Sequence, residues 1–130
     1  MGQKYLIDTN TILDFMGGKL PAKSKNYLSK IIDEQINISV INKIELLGFS
    51  NVEQILIDLV SFAEIYPIND EIIDKTIELR KKYKIKTPDA IIAATAIVNH
   101  FALISHNFKD FQKITELNFI DSYHLESNFL

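Results

Sequence analysis

Five short stretches of this chain are apolar or β-branched almost residue after residue: "YLI" at Tyr5, "INISV" at Ile36, "AEIYPI" at Ala63, "FALIS" at Phe101 and "LNFI" at Leu117. A strand with one wet face alternates apolar and polar residues. Strands that are apolar throughout are covered on both faces, which is the habit of parallel sheets. Between these stretches the period changes to that of helices. In "TNTILDFM", Ile12, Leu13 and Met16 share a side before Gly17-Gly18. In "PAKSKNYLSKIIDEQ", opened by Pro21, the stripe is Tyr27, Leu28, Ile31 and Ile32. "INKIELLGF" breaks near Gly48, "NVEQILIDLVSF" has Asn51 as its expected cap, and Asn69-Asp70 can cap "EIIDKTIELRKKYK". "TPDAIIAATAIVNH" has Thr87 as expected N-cap, Pro88 at the first helical position and Asp89 in the positive first turn. This last helix is apolar nearly all round and should be buried. Strands separated by helices imply right-handed crossovers, hence an α/β fold with a parallel sheet and helices on both faces.

The 130 residues carry no linker-like segment, so 1–130 reads as a single domain. With no cysteine, a disulfide scaffold, a thiolate zinc site and a cysteine nucleophile are all excluded. No apolar run approaches the roughly 18 residues that span a bilayer, and the first residues do not resemble a secretory signal. A cytoplasmic protein without a membrane partner is expected. The net charge of −3 excludes a basic nucleic-acid coat; nucleic-acid binding would have to rest on a local patch or on metal ions.

In parallel α/β sheets, ligands bind beyond the carboxyl ends of the strands. Asp8 ends the first strand, Glu45 lies one to two turns into the helix after the second, and Asp89 is in the first turn of the buried helix. Ser105, His106 and Asn107 follow the fourth strand, with Asp110 a turn later. All of these fall on one edge of the sheet. Clustered carboxylates raise one another's pKa, and a hard divalent cation relieves the repulsion. Mg²⁺ takes one or two carboxylates, keeps several waters and binds substrate phosphate, a combination suited to phosphodiester hydrolysis.

Together "LIDTN", Glu45 within "INKIELLGF", "TPDAIIAATAI" and "LISHNFKDF" resemble a PIN-domain ribonuclease, within that group the VapC-type toxin of type II toxin–antitoxin pairs. The resemblance covers nearly the whole chain in order. It implies a three-layer α/β/α sandwich with a central parallel five-stranded sheet, Mg²⁺ or Mn²⁺, and endonucleolytic RNA cleavage leaving a 5′-phosphate and a 3′-hydroxyl. It also implies a tRNA or rRNA substrate, a homodimer, and inhibition by a cognate antitoxin held in a groove of the apolar helices. Carried over residue by residue, Asp8, Glu45 and Asp89 match the three core acids that hold the metal. Many members place a fourth acid where this chain has Asn107; Asp110 is the alternative donor. Thr9, Asn10 and Ser105 are expected to support the acids, and Lys84, Lys86 and His106 to contact RNA.

Plainer readings stand beside these. Asp8 and Asp89 could serve only as helix-start acids. Most helix glutamates such as Glu45 are merely solvated, and "RKKYKIK" at Arg80 could be only a solvated helix end, with Tyr83 either exposed or stacked on a base. A dehalogenase-type phosphatase needs a second Asp where Asn10 stands. A receiver domain needs an acidic pair near strand one, a phosphoacceptor Asp at the end of strand three and a late Lys; strand three here ends in "YPIND" and no suitable Lys follows strand five. The remaining rival is a catalytically weak or inactive PIN-like module that binds RNA or antitoxin.

Overall fold

The computed structural model describes residues 2–125. Its elements alternate as expected: β1 (Tyr5–Ile7), α1 (Thr9–Met16), α2 (Ala22–Glu34), β2 (Asn37–Ser39), α3 (Val40–Leu47), α4 (Gln54–Ser61), β3 (Glu64–Tyr66), α5 (Asp70–Lys82), α6 (Thr87–Val98), β4 (Ala102–Ser105), α7 (Phe108–Phe111) and β5 (Phe119–Asp121), then a single 3₁₀ turn at Ser122–His124. Every strand pairing is parallel. Among the described residues no helix is long and apolar enough to cross a membrane.

The expected single five-stranded sheet is not what forms. β4 lies between β1 and β5 in a three-stranded sheet, while β2 and β3 pair as a separate two-stranded one. β1 and β2 run side by side without a backbone ladder. At that seam the buried Asn37 amide donates to the Tyr5 carbonyl at 3.0 Å, and a side chain takes the place of ladder bonds. The strands are three or four residues long, so one such substitution is enough to divide the sheet.

Side chains leave β1 alternately to the two faces. Tyr5 and Ile7, with Ala102 and Ile104 of β4, pack against Ile12, Leu28, Leu46 and Leu56 from α1 to α4. Leu6 and Leu103 point the other way, onto Ile72 and Leu79 of α5, the alanines of α6 and Phe111. Two cores on opposite sides of one sheet are what continuous apolar strands demand. The third strand departs from the pattern: Glu64 is exposed and its neighbours are only half-buried, because β3 sits at an edge.

Helix boundaries follow local chemistry. Asn69 caps α5 by accepting from the Ile72 N–H, Asp70 and Glu71 occupy its positive end, and Arg80 to Lys82 its negative end. α3 stops at Gly48, where a Cβ would come within 2.6 Å of the Ile44 carbonyl oxygen. Two expected starts move. α6 includes Thr87, with uncapped Lys86 before it, so Pro88 sits one position further in. α4 begins at Gln54 rather than at Asn51, because Val52 is drawn onto the core.

Replacing Asn37 by Ala removes the amide between the two sheets and should cost about 1–2 kcal/mol. Hydrogen exchange should show the β2–β3 amides losing protection before those of β1, β4 and β5. Equal loss in both sheets would mean the seam has no such role.

Candidate active site

Asp8 stands where β1 ends and α1 begins, with only 5% of its surface exposed. It does cap α1, accepting from the Thr9 N–H at 2.9 Å. Capping accounts for one contact among several. Ser105 at the end of β4 donates its hydroxyl to Oδ2 at 2.7 Å, Asn42 of α3 donates its amide to Oδ1 at 3.1 Å, and the Asn10 amide lies 3.4 Å from Oδ2. Burial pushes the Asp8 carboxyl pKa up, against the donors from Ser105, Thr9 and Asn42, and the Glu45 charge pushes the same way as burial.

Asn42 is the residue that sequence reasoning missed. It is fully buried, and with Ser39 it forms a reciprocal capping box at the start of α3. Its amide reaches both Asp8 and the Thr9 hydroxyl, the latter at 3.0 Å. The available signal was "SVIN", a Ser three residues before an Asn at a helix start. That pattern announces the cap and not the reach to Asp8.

The Thr9 hydroxyl donates to Glu45 Oε1 at 2.6 Å, which draws the exposed Glu45 side chain back over α1. Asp89 is half-buried at the start of α6. Its pKa is raised to about 6, first by desolvation, then by the charges of Asp8, Asp110 and Glu45, with Lys86 opposing. Asp8, Thr9, Asn10, Glu45, Asp89 and Asn107 line one open pocket with Leu13. Asn107 faces it from beyond β4; its N–H donates to Ser105 Oγ at 3.0 Å and its side-chain amide to Asp110 Oδ2 at 3.1 Å. Asp110 is therefore tied to Asn107 and acts on the pocket through its charge.

Lys84, Lys86 and His106, expected to touch RNA, are not among the residues that line the acidic pocket. Lys84 and Lys86 are exposed, and Lys86 is close enough to lower the Asp89 pKa. Tyr83 is engaged through its hydroxyl, which donates to Glu116 at 2.9 Å and accepts from the Thr115 N–H, and Lys82 Nζ lies 5.5 Å from its ring centroid. The His106 ring faces Asp121, with Nδ1 2.9 Å from Oδ1.

The donor chemistry fits a hard divalent cation, being made of carboxylate and amide oxygens without thiolate or histidine. Among the described residues no three acids or histidines close into a ready-made metal cage. Mg²⁺ does not require one, since it keeps several waters and takes one or two carboxylates.

Because the folded Asp89 pKa lies above its ordinary value, the protonated form is the one folding favours. Its stabilising contribution is full below pH ~4 and is lost as pH rises through about 6. In EDTA, the melting temperature of wild type relative to D89N should therefore fall across that interval; a flat difference would refute the shift. Added Mg²⁺ should remove the decline at neutral pH.

A family model described as PIN domain matches residues 5–117. No curated protein matches the sequence significantly. Among solved structures, a toxin–antitoxin complex from Klebsiella pneumoniae is 30% identical, with a TM-score of 0.73 over 94% of this chain and 100% of that one. VapBC-1 from nontypeable Haemophilus influenzae is 27% identical, with a TM-score of 0.77 over 94% and 100%. VapBC2 from Rickettsia felis, bound to a DNA fragment from its promoter, is 25% identical, with a TM-score of 0.76 over 92% and 98%.

Proposed function

This chain belongs to the PIN-domain family, and from that premise we propose that it is a VapC-type toxin, a metal-dependent endoribonuclease that hydrolyses RNA phosphodiester bonds. One observation carries the reading: Asp8, Glu45 and Asp89, distant in sequence, open on one pocket at the carboxyl edge of the parallel strands. Asp8, Asp89 and Glu45 would hold Mg²⁺ or Mn²⁺, with Asn107 or Asp110 as the further oxygen donor. When bound, the ion neutralises charge on the phosphodiester and lowers the pKa of a coordinated water.

The chain's own residues supply the positioning. Ser105, Asn42 and the Thr9 N–H hold Asp8 against rotation, and the Thr9 hydroxyl holds Glu45. Water adds to phosphorus as the P–O3′ bond breaks, leaving a 5′-phosphate and a 3′-hydroxyl. Lys86, close enough to Asp89 to lower its pKa, and the exposed Lys84 two residues before it would receive flanking phosphates. The substrate is RNA, of tRNA or rRNA type, and the protein works in the cytoplasm as a homodimer.

The partner is a cognate antitoxin. Supporting this, several similar structures are toxin–antitoxin complexes, and an apolar groove lined by Leu13, Met16, Phe49, Val52 and Leu56 adjoins the acidic pocket. Leu13 belongs to both. The α2 stripe does not contribute, since Leu28 and Ile31 are spent in the core. An antitoxin helix in this groove would cover the mouth of the pocket.

Mg²⁺ or Mn²⁺ should support cleavage of RNA by the purified protein, and D8N should lower kcat on the order of 10³-fold. Cleavage that persists in excess EDTA would sink the metal-dependent reading. A wild type that binds RNA or antitoxin without cutting would instead favour the inactive PIN-like module. A separate titration should find Mg²⁺ affinity reduced roughly 10–100-fold in N42A, because Asn42 orients Asp8 without being a ligand. Unchanged affinity would leave Asn42 with a capping role alone.

A further inference from the structure

His106 lies between Ser105, which bonds Asp8, and Asn107, which lines the pocket. Its N–H donates to Asn10 Oδ1 at 3.1 Å, so its backbone is tied to the same residue that approaches Asp8. The ring is held as firmly. Nδ1 meets Asp121 Oδ1 at 2.9 Å, and one face lies on Tyr123 with centroids 3.9 Å apart and planes 28° from parallel. Phe108 stands edge-on at 6.0 Å. Tyr123 is fixed in turn, its N–H donating to Asp121 at 3.0 Å and its hydroxyl to Asp14 at 3.1 Å. Yet the His106 side chain remains 42% exposed and Phe108 is 48% exposed. Tyr123 packs against the core, whereas the His106 and Phe108 rings beside it are left open to solvent and contribute little to it.

We propose that the His106 ring, backed by Tyr123 and flanked by Phe108, is a stacking platform for one unpaired nucleobase next to the scissile phosphate. The proposal rests on the ribonuclease reading and deepens it. Charge decides what the platform accepts. The groups bonded to the two rings are the carboxylates of Asp121 and Asp14, so a phosphate would be repelled there. The face of a neutral base stacks on an aromatic ring without needing a cation, and a ring already fixed loses little freedom on binding. A metal ion is not the better occupant: Asp121 and His124 do not gather with His106 into a metal-binding group. His124 stays 76% exposed, 3.9 Å from Asp121.

The test uses the full chain and an unstructured RNA oligonucleotide in Mg²⁺, with a parallel series carrying 2-aminopurine at successive positions and bound to D8N protein. H106A should raise KM about tenfold while kcat changes less than threefold. H106F, which keeps a stacking face and discards both nitrogens, should rescue KM. Quenching of 2-aminopurine at one position beside the cut should be lost in H106A and regained in H106F. Unchanged KM in H106A overturns the platform, as does an H106F as defective as H106A, which would assign the role to a ring nitrogen. An H106A defect confined to binding of a protein partner overturns it too. If the wild type neither cleaves nor binds RNA in Mg²⁺ or Mn²⁺, the ribonuclease reading falls and the platform with it; cleavage by wild type with H106A unaffected overturns the platform alone. Should H106A fail to fold, H106F kinetics and the 2-aminopurine signal of the D8N protein still decide the matter, no quenched position beside the cut overturning the platform.

Discussion

The buried Asp8 carboxylate organises the molecule. A charge with 5% of its surface exposed costs several kcal/mol to bury unless hydrogen bonds replace its water. The replacements come from three elements: Thr9 and Asn10 from α1, Asn42 from α3 and Ser105 from β4. None can shift without leaving the charge short of a partner. The seating of α1 and α3 on the sheet is thus coupled to one side chain, and geometry at the pocket is inherited from that coupling. The capping box of Ser39 and Asn42 serves the same end, since it fixes the rotamer that carries the Asn42 amide to Asp8.

The pocket is built at a cost to stability. Burial raises the pKa of Asp8, and the pKa of Asp89 reaches about 6 first through desolvation and then through the charges of three other carboxylates. Nothing in the packing requires such crowding. Groups kept in unfavourable protonation equilibria at one edge of a sheet mark a site selected for something other than stability. The open form of the pocket suits an ion that retains water better than one that demands a closed cage.

The sequence made the order of elements along the chain, the parallel pairing and the two covered faces legible, because the hydrophobic period marks strands and helices and helices between strands force parallel crossovers. It did not reveal the division of the sheet. That depends on where one amide, on Asn37, happens to reach, and an Asn inside a strand-like run carries no such message. The convergence of Asp8, Glu45 and Asp89 on one edge followed from topology alone. Asn42 was invisible for a different reason: at a helix start an Asn is fully explained by capping, and its second duty exists only in three dimensions. Asn107 and Asp110, posed as alternatives, turn out to be hydrogen-bonded to each other, so substitution of either disturbs both.

On the proposed reading, an acidic chain would have to bring a polyanion to a cluster of carboxylates. Its net charge of −3 offers no long-range attraction. The compensating charge is local: Arg80, Lys81 and Lys82 end α5, and Lys84 and Lys86 continue toward the start of α6. Of these, Lys86 is the one that lowers the Asp89 pKa, and it is outweighed there by Asp8, Asp110 and Glu45. These lysines can therefore hold flanking phosphates but cannot neutralise the pocket. On the proposed ribonuclease reading, neutralisation at the scissile phosphate would come from a cation held by the carboxylates themselves, while a neutral base is the one part of the strand that acidic surroundings such as those of His106 would not repel. The charge distribution would thus divide the contacts of the proposed RNA substrate by chemistry, phosphates toward the α5–α6 side and a base toward the β4–β5 side.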